Sequence, residues 1–213
     1  IAGRAFDRVP DFARRGRGRD AVFRAFQIAL LEEGADWVSY VAVAAGPGGY
    51  ADVISPAGPE PLEPGDVLML DTGAVSGGYF CDFDRNYSVG PPCDAVRKAH
   101  AALWEVTQEV LEDLRPGIRA SDLHRRLAQG LQRRGVDPAG GRLGHGLGLA
   151  LTEWPSLTDR DETELRAGMV LTLEPGAILG PGRMLVHEEV IALRDDGPEL
   201  LSPRAPFQLP ELA

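Results

Sequence analysis

The sequence predicts an α+β fold, and three observations carry that prediction: helical stripes, β-rich runs between them, and an internal repeat. Asp20 is read as the cap of a first helix, whose apolar positions Val22, Phe23, Phe26, Ala29 and Leu30 recur at three- and four-residue spacing until Gly34. A longer helix is predicted from residue 94 to about 114, with Val96, Ala99, Leu103, Val106, Val110 and Leu114 on one stripe and Arg115-Pro116-Gly117 ending it. Ser121 is read as the cap of a third, in which Leu123, Leu127 and Leu131 recur at every fourth residue before Gly135. Strands are predicted over residues 37–45, 67–71, 79–89, 169–174 and 184–193. The glycines and prolines concentrate in the loops between these elements.

The repeat is the most informative signal. Residues 62–74, Leu-Glu-Pro-Gly-Asp-Val-Leu-Met-Leu-Asp-Thr-Gly-Ala, align without gaps with residues 165–177, Leu-Arg-Ala-Gly-Met-Val-Leu-Thr-Leu-Glu-Pro-Gly-Ala, and 7 of the 13 positions are identical. Each copy is a turn, an apolar strand, a carboxylate (Asp71 or Glu174) and a glycine that permits a tight bend. Each is followed by a second β-run with a further acid, Asp82 or Glu188. Two related hairpins are therefore expected, each presenting a pair of acids.

Composition narrows the function. The 213 residues carry 22 Lys+Arg against 32 Asp+Glu, a formal charge of −10, which argues against a nucleic-acid binder because phosphate contacts need a cationic footprint. The longest apolar run, residues 40–45, is far short of the ~20 residues a membrane span requires. The two cysteines, Cys81 and Cys93, cannot build a disulfide framework, which fits a reduced, cytoplasmic setting. The start at Ile1 has neither an initiator Met nor the apolar core of a signal peptide, so it is read as internal to a longer chain.

Four carboxylates on two hairpins need a counter-charge. No Lys or Arg lies between Leu62 and Arg85, and from the strand at Val170 to Glu188 the second hairpin offers only Arg183. Two divalent cations would balance the four acids. Gly144-His145-Gly146-Leu147-Gly148 adds a histidine whose flanking glycines let backbone approach an ion closely, and imidazole suits Zn, Fe, Co or Mn. His100 and His124 fall within helices, and His187 should leave its strand on the face opposite Glu188.

Asp71-Thr-Gly-Ala, Asp82, Gly144-His145-Gly-Leu-Gly, Glu174-Pro175-Gly176 and Glu188 together resemble the five-ligand signature of the pita-bread metallopeptidases: methionine aminopeptidase, aminopeptidase P and prolidase. The resemblance runs from about residue 20 to the C-terminus. It implies a duplicated α-β unit with a curved antiparallel sheet, here one catalytic domain over 1–213 without the N-terminal domain of aminopeptidase P and prolidase. It implies that Asp71 chelates one ion, that Asp82 and Glu188 bridge two, and that His145 and Glu174 complete the second. It further implies Mn, Fe, Co or Zn as the metal, a small peptide as substrate, Glu174 as general base as well as ligand, and a homodimer for the full-length protein.

The chain also departs from that pattern. The family's peptidases use two further histidines that stabilise the oxyanion and position the substrate carbonyl. Residues 46–56 contain no histidine, and Thr152 stands where the second is expected, followed by Glu153-Trp154-Pro155. Where the family has Thr, two residues after Asp82, this chain has Asp84, read either as a sixth ligand or base, or as the partner of Arg85 or Arg183. Trp154 is read either as an apolar wall of the substrate pocket beside Thr152 or as a core residue. A metal-dependent hydrolase of the aminopeptidase P or Xaa-Pro dipeptidase type ranks first. A non-peptidase of the same fold, such as a small-molecule hydrolase or a dimethylsulfoniopropionate-lyase-like C–S lyase, ranks second, and a non-catalytic binding module third.

Overall fold

Val67, Leu68, Met69 and Leu70, the apolar run of the first repeat copy, are all buried because their strand is covered on both faces. Val67 and Met69 enter one apolar cluster, while Leu68 and Leu70 enter another. A strand buried on both sides reads as a continuous apolar run instead of an alternating one. In the computed structural model, which describes residues 1–54 and 56–213, the chain begins with helices α1 (Ala2–Asp7), α2 (Val9–Phe12) and α3 (Arg19–Glu32). Strands β1 (Trp37–Pro47), β2 (Asp66–Ser76), β3 (Tyr79–Phe80) and β4 (Phe83–Val89) follow, then helices α4 (Asp94–Asp113) and α5 (Ala120–Arg133). The remainder holds β5 (Asp137–Pro138), β6 (His145–Gly146), β7 (Glu153–Ser156), β8 (Val170–Leu173), β9 (Gly176–Gly180), β10 (Arg183–Val186), β11 (Glu189–Arg194), β12 (Gly197–Leu200) and β13 (Glu211–Leu212).

Three sheets result. One has the order β1-β2-β4-β13, with β3 on the end of β2 and only the β4–β13 edge parallel. The second has the order β12-β11-β8-β6-β7, and the third β10-β9-β5. The stripes of α4 and α5, including Leu103, Val106, Val110, Leu123, Leu127 and Leu131, cover Leu171, Leu173, Ile191 and Leu193 of β8 and β11. The helices α1 to α3 supply Phe6, Val22, Phe26 and Leu30 to the opposite cluster. Among the described residues no helix is long and apolar enough to cross a membrane.

The repeat is structural. Gly65 and Gly168 have φ of 91° and 92°, the left-handed region open to glycine. Each turn is closed alike, by Asp66 N–H on the Glu63 carbonyl and by Met169 N–H on that of Arg166. Each glycine N–H then donates to the end of the partner strand, at Val89 and at Leu193. Register extends the equivalence beyond the aligned residues. Asp71 stands opposite Asp84, and Leu173 stands opposite Glu189, which sets Glu174 opposite Glu188. The counterpart of Glu188 in the first hairpin is therefore Asp84, not Asp82 as the repeat alone suggests.

Two expected caps are displaced. The helix read as capped by Asp20 begins at Arg19 after Gly18, and Asp20 sits in its first turn, ion-paired with Arg24 at 3.0 Å. The helix read as capped by Ser121 begins at Ala120 after Arg119, and the Ser121 hydroxyl donates to Glu162 instead. In both, a short antiparallel bridge fixes the start, Gly18 with Pro61 and Arg119 with Glu164. That tertiary pairing outranks side-chain capping. The run 79–89 is broken between β3 and β4, and 184–193 between β10 and β11, which leaves Asp82 and Glu188 on irregular backbone.

Candidate metal centre

The acids at these two breaks meet His145. Asp82, His145 and Glu188 offer ligand atoms that all lie within 4.8 Å of one another, and all three side chains are buried. Asp82 Oδ2 is 3.2 Å from His145 Nε2, and Glu174 Oε1 is 3.8 Å from the same nitrogen. His145 is held from behind. Its Nδ1 is 2.8 Å from the Gly146 carbonyl, which can only accept, so Nδ1 carries a proton and Nε2 is the ring nitrogen that faces the acids. Space for this arrangement comes from Gly144, where a Cβ would lie 2.3 Å from the Thr172 carbonyl oxygen. The Thr172 hydroxyl meanwhile accepts the His145 N–H at 3.0 Å.

The electrostatics are those of acids crowded out of water. Burial raises the Asp71 and Glu188 carboxyls well above the usual range, and neighbouring acids, Asp82 foremost, push them further. Burial also raises Asp82, offset by its hydrogen bond to His145, and raises Glu174, offset by His145 and Arg142. His145 is lowered by burial, but the Asp82 hydrogen bond, the Gly146 carbonyl and Glu174 outweigh this and its net shift is upward. Arg142 brings a positive charge that neither hairpin supplies, with Nε 3.2 Å from Glu174 Oε1. Sequence reasoning missed it, although it lies three residues before His145 in the same Gly-rich loop.

A divalent cation fits this donor set. Asp71 Oδ1 and Glu188 Oε1 are buried with no hydrogen-bond partner among the described residues, a costly arrangement unless a cation completes them. One imidazole and a surrounding group of carboxylates is a hard donor set suited to Mn²⁺, Fe²⁺, Co²⁺ or Zn²⁺.

Asp84 faces elsewhere. Oδ1 accepts the Glu188 N–H at 2.8 Å and Oδ2 accepts from Asn86 Nδ2 at 3.2 Å. Burial pushes its carboxyl up to about 8, partly offset by Arg85. Its expected ion pair with Arg85 or Arg183 is not formed, because the Arg85 guanidinium is engaged by Glu189 at 3.0 Å. His187 does turn away from the acids, toward Arg204, with its Nε2 2.7 Å from Nη1.

Thr152 is exposed on the loop between β6 and β7. Leu151 of that loop covers Gly73, where a Cβ would lie 2.6 Å from the leucine Cδ1, so the segment closes over β2 just beyond Asp71. Trp154 is not a core residue. It is 69% exposed, donates Nε1–H to the Thr163 hydroxyl at 2.8 Å, and lines a cavity of about 400 Å³ with Phe80, Cys81, Phe83, Leu147 and Met169. Phe83 leaves β4 on the face opposite Asp84. Trp154→Ala should therefore cost about 1 kcal/mol, one hydrogen bond and a partly exposed ring, and lower Tm by about 2–4 °C in calorimetry. A loss of the ~3–5 kcal/mol typical of a buried Trp would contradict this placement.

Comparison with known proteins agrees with the architecture. The model of metallopeptidase family M24 matches residues 1–195. The chain belongs to family M24. The probable dipeptidase PepE of Mycobacterium tuberculosis is 32% identical over 203 residues, covering 92% of this chain and 54% of that protein. The Xaa-Pro dipeptidase of Pyrococcus furiosus is 31% identical over 142 residues, covering 66% of this chain and 41% of that protein. Among solved structures, an X-Pro aminopeptidase from Thermotoga maritima superposes with a TM-score of 0.91 at 27% identity, covering 99% of this chain and 59% of its own. The chain thus spans about half the length of the curated M24 relatives it matches, and its fold is the pita-bread fold of that family.

Proposed function

We propose that this chain is the catalytic part of a two-metal M24 peptidase that releases the N-terminal residue from short Xaa-Pro peptides. The observation that carries the reading is the pair of buried carboxylate oxygens, on Asp71 and Glu188, left without partners beside the Asp82–His145–Glu188 cluster. On this reading Asp71, Asp82, His145, Glu174 and Glu188 hold two divalent ions. When bound, such ions supply Lewis acidity and a hydrolytic nucleophile near neutral pH. Glu174 would serve as the general base, accepting a proton at a carboxylate oxygen. Burial raises its pKa above the ordinary glutamate value, and Arg142 donates Nε–H to its Oε1. Nδ1–H of His145 on the Gly146 carbonyl leaves Nε2 as the ring nitrogen that would ligate an ion. The unpaired thiols of Cys81 and Cys93 fit a reducing, cytoplasmic setting.

The Xaa-Pro preference is taken from the relatives, and Thr152 bears on its rate. It is exposed on the loop where the resemblance places one of the family's histidines. Xaa-Pro dipeptides and longer Xaa-Pro peptides should be cleaved slowly by the full-length protein supplied with Mn²⁺ or Co²⁺. Thr152→His should raise kcat, since one oxyanion donor contributes about 10²–10³. No Xaa-Pro turnover, unrescued by Thr152→His, together with turnover of dimethylsulfoniopropionate or another small molecule, would replace the peptidase reading with the non-peptidase one.

A further inference from the structure

The two halves of the M24 centre are not joined by strand pairing where it matters. Asp82 lies between β3 and β4, and Glu188 between β10 and β11, with no main-chain ladder connecting the two breaks. Side chains of three consecutive residues join them instead. Asp84 accepts the Glu188 N–H at 2.8 Å, and Arg85 donates Nη1–H to the Glu188 carbonyl at 2.9 Å. Asn86 donates Nδ2–H to the Val186 carbonyl at 2.6 Å. The Tyr50 hydroxyl closes the row, donating to Asn86 Oδ1 at 3.0 Å and accepting the Val186 N–H at 2.6 Å. Both peptide groups flanking the Glu188 side chain are thus pinned by neighbours on β4, the strand that Asp82 leads into.

Asp84 is the decisive member. It is the register counterpart of Glu188 and accepts that residue's N–H. Its two oxygens are spent on Glu188 and Asn86, and it is 3% exposed. A carboxylate committed in this way does not join the donor cluster, but it fixes the backbone from which Glu188 reaches that cluster.

We propose that Asp84 is a positioning residue: by accepting the Glu188 N–H it holds Glu188 of one half against Asp82 of the other, and so sets the affinity of the centre for a divalent cation. The proposal rests on the reading of Asp82 and Glu188 as ligands. Partners that orient ligands typically govern affinity by 10–100-fold.

The test is Mn²⁺ titration by calorimetry on the full-length protein, with the Co²⁺ absorption spectrum and hydrogen exchange at the Glu188 amide as further readouts. Asp84→Ala should weaken Mn²⁺ about 10–100-fold, shift the Co²⁺ bands, and speed exchange at the Glu188 N–H. Asp84→Asn keeps an acceptor for that N–H while losing the charge, so it should bind Mn²⁺ far closer to wild type than Asp84→Ala does. Wild-type Mn²⁺ affinity in Asp84→Ala would overturn the proposal, as would an Asp84→Asn variant as weak as Asp84→Ala, which would make the charge itself the active feature. Should Asp84→Ala not fold, Asn86→Ala breaks the same row, and unchanged Mn²⁺ affinity there would overturn the proposal equally. Absence of Mn²⁺ binding by wild type would defeat the ligand reading, whereas exchange at the Glu188 amide, which needs no metal, still decides whether Asp84 holds that backbone.

Discussion

Asp82→Asn should leave the protein folded while lowering its divalent-metal content by more than the 10–100-fold expected for loss of an outer partner. Asp82 sits at the centre of the acid group, with Oδ2 on His145 Nε2 and its charge raising the pKa of both Asp71 and Glu188. Without metal, these acids are destabilising in a pH-dependent way. Their folded pKa values lie above the ordinary carboxylate value near 4, so their contribution to stability is complete below that value and is lost as pH rises through the folded values; adjoining Asp84, pushed up to about 8, acts in the same direction. Wild type treated with a chelator should accordingly be less stable at pH 8.5 than at pH 5, by about 2 kcal/mol or some 4–8 °C in Tm. Mn²⁺ should restore stability at the higher pH in wild type but not in Asp82→Asn. In chelator the variant should melt above wild type at pH 8.5, because one of the repelling charges is gone. Metal-free wild type that gains stability between pH 5 and 8.5, or an Asp82→Asn variant with undiminished metal content, would contradict the reading of this cluster.

The legible part of the molecule is the part governed by short-range rules. The stripe of α4, for example, follows from its sequence spacing, and so does the turn at each repeat glycine, where Gly65 and Gly168 adopt nearly the same φ. The carboxylates stood out because each ends an apolar strand, where charge is expensive. Helices α1 and α2 escaped notice because they are too short, at 6 and 4 residues, to display a helical period. The strand pairs of β5 and β6 are two residues long and exist only because the chain meets distant partners.

What surrounds the acids was less legible, for the same reason. Arg142, Tyr50 and Asn86 belong to no motif, and their roles depend on contacts such as Tyr50 to Val186, 136 residues away in sequence. The alignment of repeat copies ended at residues 74 and 177, before the return strands whose register makes Asp84, not Asp82, the counterpart of Glu188. Glu189 shows the limit most clearly. Next to a candidate ligand it reads as one more acid, yet its side chain is fully buried and belongs to a different network.

That network carries the other large expected effect. Glu189 accepts from Arg85 Nη2 and Arg204 Nη1, each at 3.0 Å, from the Ala205 N–H at 2.8 Å, and from the Ser202 hydroxyl. Arg85 and Arg204 are 9% and 18% exposed, and His187, 3.6 Å from Glu189, is held well below its usual pKa by burial and by both arginines. Glu189 is thus the buried anion between two largely buried guanidinium groups. Glu189→Ala should cost about 3–5 kcal/mol, as expected when one partner of a buried ionic group is removed and the other charges are left uncompensated. For a chain of this size that is a Tm lower by about 6–20 °C. Because this anion stabilises the fold directly, the loss should appear equally with chelator and with Mn²⁺, at pH 5 as at pH 8.5, in contrast to Asp82→Asn. Glu189→Gln, which retains an acceptor for Ala205 but not the charge, should fall between wild type and Ala. If Glu189→Ala instead melts like wild type in chelator and differs only when Mn²⁺ is present, Glu189 acts on the metal centre and not as the counter-ion of Arg85 and Arg204.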